Sequence, residues 1–216
     1  FGGFVAMFLF MALDVILLLR SNVQYSKKSK QEKKDDIFRL MMRTRDPEIV
    51  WDLLSKHVSR TQSFVTRFAL NQYNTILDGF VNQNLKELRR SGRELKEEKD
   101  QLKKFRRKEL LALRRTPQSI ALERNTWFHL GANSDQQFIY CLTRMLEPVK
   151  EHVDNNFSPL PDEYSKEFEP IRRKIDSLMK QSEEMISTNR YDIYSKVLNE
   201  ADDVKNLISS VRKHHI

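Results

Sequence analysis

DPEIVWDLLSKHVSRTQSFVTRFALNQYNTILDGF, residues 46–80, is the stretch that decides the fold. Asp46-Pro47-Glu48 reads as a helix start, with an N-cap acid, Pro at the first helical position and a second acid in the first turn. From there Val50, Leu53, Leu54, Val58, Thr61, Val65, Phe68, Ile76 and Phe80 recur at steps of three and four, apart from one skipped turn. That period places them on one side of an α-helix. The spacing predicts a helix of about thirty residues, or two collinear pieces, a length suited to a bundle.

Outward from this stretch the pattern continues. Gly79 and Asn82-Gln83-Asn84 mark a turn, after which Leu88, Leu95 and Leu102 repeat every seven residues, with Leu85 and Phe105 beside the stripe. This predicts a long helix with a narrow apolar seam and a charged solvated face. Thr116-Pro117 is expected to end it and open the next helix, with Thr116 as cap. In that third helix Trp127, Leu130, Phe138, Leu142, Met145 and Val149 are expected to line the buried face. Residues 155–161, with two prolines around Leu160, form the clearest loop. Tyr164, Phe168, Ile171, Ile175, Leu178 and Met185 give a fourth stripe, broken at Asn189-Arg190. Tyr194, Val197, Ala201, Val204, Leu207, Ile208 and Val211 give a fifth. No segment alternates apolar and polar long enough to be a strand. The expectation is an all-α, antiparallel bundle of long helices.

Composition narrows the function classes. Five glycines and six prolines in 216 residues are too few for the frequent turns of a β-sandwich or barrel. Neither GxGxxG nor GxxxxGK[ST] occurs, so no glycine-rich phosphate loop is present. One cysteine, Cys141, and five histidines leave no thiolate zinc site and no disulfide framework. No catalytic constellation stands out, so neither an enzyme nor a cofactor is expected.

The start of the chain differs from the rest. Residues 4–19 are apolar at every position except Asp14, and Arg20, Lys27, Lys28, Lys30, Lys33 and Lys34 come after them. The run is near the ~20 residues needed to cross a bilayer. A signal peptide would carry its positive charges before the apolar stretch and end at a small-residue cleavage site. Residues 1–20 are therefore expected to be a transmembrane helix, the end of a membrane domain, with Asp14 turned to protein or water. Lysines after the helix place the downstream chain in the cytoplasm. Residues 21–36 then form a basic juxtamembrane linker and 37–216 a cytoplasmic helical bundle, cut short at its C-terminus.

The net charge of +8 is unevenly spread. Residues 84–116 carry thirteen basic and six acidic side chains. Arg89, Arg90, Arg93, Lys103, Lys104, Arg106, Arg107 and Lys108 are either part of a solvated face or a contact for lipid headgroups or a protein partner. Interleaved acids and the lack of an aromatic platform argue against nucleic acid. In the third helix, His129, Asn133, Gln136 and Tyr140 share one face at steps of four, three and four. They are expected to form a polar network with a facing helix, or else to contact an anion or partner. Metal binding suits amides poorly, and Asp135 is expected to point elsewhere. Glu200 and Asp203 share a face of the last helix. They would meet His129 or Asn133 if those helices packed side by side.

Three stretches carry a resemblance to a known family. They are Arg106-Arg107-Lys108-Glu109-Leu110-Leu111-Ala112-Leu113-Arg114-Arg115, then Glu123-Arg124-Asn125-Thr126-Trp127-Phe128-His129-Leu130, and then the segment from Cys141-Leu142 through Asp154-Asn155-Asn156-Phe157-Ser158-Pro159-Leu160-Pro161. Over residues 37–216 the chain resembles the C-terminal domain of bacterial inorganic phosphate transporters of the PiT type. The resemblance implies a PhoU-like helical bundle on the cytoplasmic side of the inner membrane, regulating a permease that moves phosphate with a coupling cation. Its implied partners are the membrane domain of the same transporter and the lipid bilayer, with pairing as a homodimer compatible with exposed helix seams. PhoU-like proteins often carry E/DxxxD metal motifs. Here the corresponding region reads Asn133-Ser134-Asp135-Gln136-Gln137, Val204 lies four positions after Glu200, and Asn206 four after Asp202. Metal binding of that kind is therefore not expected. The alternative reading is a membrane-anchored helical scaffold that binds a protein partner or anionic lipid.

Overall fold

Asp46 caps the predicted first long helix as its sequence indicates: in the computed structural model its side chain accepts a hydrogen bond from the Glu48 N–H at 2.9 Å. The structure describes residues 36–214. Helix α1 covers 36–43, and α2 spans Pro47–Val81 as one unbroken rod of 35 residues. Then come α3 (Leu85–Leu113), α4 (Gln118–Asp154), α5 (Asp162–Thr188) and α6 (Tyr194–His214). Every element among the described residues is helical, so the chain is an all-α bundle. None of these helices is long and apolar enough to cross a membrane. The expected membrane helix at 1–20 lies outside the described residues, as does the linker apart from Asp36.

The turns expected at Asn82-Gln83-Asn84, 155–161 and Asn189-Arg190 share one device. Gln83, Asn156 and Asn189 take left-handed φ values of 51°, 52° and 55°. Each next residue reaches back five positions, Asn84 to the Gly79 carbonyl, Phe157 to His152 and Arg190 to Met185. This Schellman-type closure satisfies carbonyls at a helix end, and after glycine asparagine tolerates the left-handed position best, as at Asn156 and Asn189. Thr116 behaves otherwise than expected. Its hydroxyl donates to the Leu113 carbonyl at 2.7 Å, closing α3, while Pro117 holds the cap position of α4 with no side-chain bond.

Helix α2 is the central rod and packs against α3, α4 and α5; α3 also packs on α4, and among the described helices α6 packs only on α5. Two apolar cores lie in series along the α2–α3–α4 bundle. One holds Val65, Ile76, Leu88, Leu95, Ile139 and Leu146. The other, nearer α1, gathers Phe38, Met41, Leu54, Phe105, Leu113 and Phe128. Helix α5 joins α2 through a seam rich in polar pairs. Arg172 forks onto both oxygens of Asp78 at 2.7 and 3.1 Å, and Ser63 donates to Glu183 at 2.6 Å.

The buried face of α4 is the expected one only in part. Leu142 is buried and Phe138, Met145 and Val149 pack against the first core, but in the N-terminal half Phe128 points inward, whereas Leu130 is 62% exposed and Trp127 39%. Because α6 does not reach α4, Glu200 meets neither His129 nor Asn133. It accepts a hydrogen bond from Gln181 on α5.

Two glycines make opposite predictions. A Cβ on Gly79 would stand 2.7 Å from Cδ2 of Leu88, which is fully buried in the first core. Gly79→Ala is expected to destabilise by about 1–2 kcal/mol, since overpacking outweighs the gain in helix propensity. On Gly131 the Cβ would meet only the end of the half-buried Gln62 side chain, which can swing away. Gly131→Ala is expected to stabilise by about 0.5–1 kcal/mol. Urea midpoints of the two variants, followed by circular dichroism, should move in opposite directions.

Candidate functional site

Where the two cores meet, the apolar seam is interrupted by ionisable groups from three helices. The interruption lies on the helical repeat itself. Leu88, Leu95 and Leu102 are spaced by seven, and the next position in that series is Glu109. On α2, His57 sits three residues after Leu54 and four before Thr61, within the buried stripe. On α4, Asp135 falls seven after Phe128 and four before Ile139, again on the buried stripe.

Nε2 of His57 lies 3.1 Å from Oε1 of Glu109, and both side chains are less than a tenth exposed. A carboxylate only accepts, so the imidazole donates. The Phe38 and Phe105 rings stand edge-on to His57 at 4.7 and 5.3 Å and shield the pair from water. Beside it, Nη2 of Arg106 lies 3.0 Å from Nδ1 of His129. Guanidinium has no lone pair to offer, so Nδ1 accepts and the ring carries its proton on Nε2. Asp135 faces the same space. Burial pushes its carboxyl up to about 7, with the negative charges of Glu109 and Glu98 adding to the effect. A cavity of about 20 Å³, lined by Thr61, Arg106, Glu109, Asp135 and Gln136 among others, has room for one water.

Chemically this is a cluster of ionisable groups in a low-dielectric setting, where burial favours the protonated form of Asp135. Among the described residues no group of three His, Cys, Asp or Glu side chains is placed to hold a metal ion. Cys141 is exposed, turned away from the stripe of α4 that carries this cluster.

The expected polar row on α4 is divided by its neighbours. His129 turns to Arg106, and Gln136 borders the small cavity. Asn133 and Tyr140 are exposed and line a cleft of about 220 Å³ with Gln136, Lys99 and Lys103. Asp135, expected to point elsewhere, is half-buried and shares the small cavity with Leu102 and Phe105 of α3. The eight basic residues of α3 are divided as well. Arg89 pairs with Asp154 at 3.0 Å, and Arg90 lies 3.8 and 3.7 Å from Glu87 and Glu94. Arg93, Lys103, Lys104 and Arg107 face solvent, and Lys108 sits 5.4 Å from the Phe38 ring centre.

Sequence reasoning missed His57 and Glu109 as a pair and misplaced Asp135. The signal was present in the heptad and stripe positions, which a charged residue occupies at a cost unless it is partnered. The chain matches no protein-family model, and comparison with curated proteins and with solved structures yields no match. The fold and cluster together define an all-helical bundle whose interior carries a titratable site.

Proposed function

We propose that this chain is the cytoplasmic regulatory part of an inorganic phosphate transporter, a PhoU-like bundle tethered by the apolar run at residues 4–19 and modulating uptake through its packing against the membrane domain. The observation that supports this reading joins sequence and structure. Two of the stretches that carry the resemblance, 106–115 and 123–130, pack against each other: Arg106 bonds His129, and Ala112 and Leu113 share a core with Phe128. Their unusual composition is thus spent on one interface, around the His57–Glu109 pair and Asp135.

On this reading the transport path lies in the membrane domain, because a single apolar helix cannot form a substrate site at a repeat interface. The bundle acts by a shift between two packings, biased by charge in its interior. Residues 20–36 carry that shift to the membrane helix. The bundle lies on the cytoplasmic side of the inner membrane, and phosphate is the ion moved by the whole protein.

The test is phosphate uptake into cells by the full-length transporter with and without residues 37–216. Removal is expected to change the rate, or its response to phosphate supply, while the permease still reaches the membrane. Identical rate, affinity and response in both forms would remove the regulatory reading.

A further inference from the structure

We infer that the α1 end of the bundle is a docking face for the anionic surface of a phospholipid bilayer. The inference rests on the tethered reading proposed for the chain and adds which face meets the lipid. Phe38 and Met41 of α1 are buried against the C-terminal half of α3, and Arg115 donates to the Thr44 carbonyl at 2.9 Å, fixing the joint between α1 and α2. Between α1 and α3 lies a groove of about 360 Å³ lined by Phe38, Arg39, Met42, Arg43, Lys108 and Leu111. Leu111 is 54% exposed at its edge.

The charge around this groove is one-sided. Segments 36–45 and 103–115 hold ten basic and two acidic residues. Both acids are already engaged, Asp36 with Arg39 and Glu109 in the interior with His57. Among the described residues Arg43, Arg45, Lys104, Arg107 and Arg114 have no carboxylate partner; Lys104 and Arg107 project from α3, and Arg114 stands at its C-cap. At the other end of the bundle Arg89 pairs with Asp154 and Arg90 lies beside Glu87 and Glu94, while Arg93 faces solvent. Residues 20–34, immediately upstream in sequence, add six basic residues against one acid.

Cations around an exposed aliphatic groove suit phospholipid, whose headgroups take the charge and whose glycerol and upper acyl region accept Leu111 and Met42. Nucleic acid would need an aromatic stacking platform, and Phe38, the aromatic ring of the groove, is only 4% exposed.

The test uses the full 216-residue chain with Cys141→Ser, which removes its one cysteine. An environment-sensitive fluorophore is placed by Leu111→Cys, or by Val81→Cys at the opposite end as a control. The chain is reconstituted in vesicles of phosphatidylcholine alone or with about one-third phosphatidylglycerol. The probe at position 111 is expected to shift to the blue and gain about twofold in intensity with the anionic lipid, weakening at high salt, while position 81 stays unchanged. Lys104→Glu with Arg107→Glu should abolish the response at unchanged helicity. Equal emission in both vesicles with the chain still membrane-bound, or a response that survives the charge reversal, overturns the docking face and leaves the tether standing. A response to polyglutamate without vesicles overturns it in favour of an acidic polypeptide. A chain that binds anionic vesicles but not neutral ones sinks the tether alone, and one that binds neither sinks both.

Discussion

Asp135→Asn is expected to stabilise the bundle by about 2–4 kcal/mol at pH 8 and to have little effect at pH 4. The folded carboxyl titrates at about 7, far above the ordinary carboxylate range. A group that holds its proton more tightly when folded contributes fully below its unfolded pKa. That contribution is lost as pH rises through the folded value. The native chain therefore loses this share of stability between about pH 4 and 7, whereas the Asn variant, which never ionises, does not. The difference between the two curves reports Asp135 together with its coupling to Glu109 and Glu98. Urea unfolding in mild detergent at a series of pH values reads it directly. Parallel curves would show that Asp135 is not held in a low-dielectric setting.

Glu109→Ala is expected to cost about 3 kcal/mol or more, because it strands the His57 donor in a buried site and opens a cavity beside it. Thr61 offers the ring only a contact at 3.5 Å, too long to replace the lost partner. Glu109→Gln keeps an acceptor at the same place and should cost under about 1 kcal/mol. Replacing both partners, His57→Leu with Glu109→Leu, should recover most of the loss, since apolar side chains fit between the two cores. The Glu109 substitutions also remove one of the charges that raise the Asp135 carboxyl, so they should shift the pH dependence downward. Additive effects of Glu109→Gln and Asp135→Asn across the pH range would mean that the two carboxyls do not sense each other.

If the regulatory reading holds, these variants have a use beyond stability. Asp135→Asn alters interior charge on α4 without touching the groove at the α1 end or the apolar run, whereas His57 packs on Phe38 of α1. A change in phosphate uptake by Asp135→Asn, at equal abundance in the membrane, would tie the cluster to regulation.

Much of the fold was legible in the residues. Asp46-Pro47 and the amide-rich turns name the helix ends because capping and left-handed closure are local chemistry, decided within a few residues. The α2 stripe and the Leu88-Leu95-Leu102 seam were readable for a similar reason, as each helix has one dominant apolar face. In α4 the sequence offers two adjacent faces, one with Trp127 and Leu130, the other with Phe128 and Asp135. Propensity does not choose between faces separated by a single residue's rotation. The choice fell to α2 and α3, which bury Phe128 and Ile139.

The sequence by itself determined that the described chain is helical, where its helices stop, and that its cations gather in particular segments. Only the tertiary structure decided which ionisable groups share an interior, that α6 rests on α5 rather than α4, and that the cations of α1 and of the end of α3 surround one groove. Helix formation is governed by neighbours three or four residues away. The setting of a buried charge depends on residues such as His57 and Glu109, fifty-two positions apart in the chain and 3.1 Å apart in space.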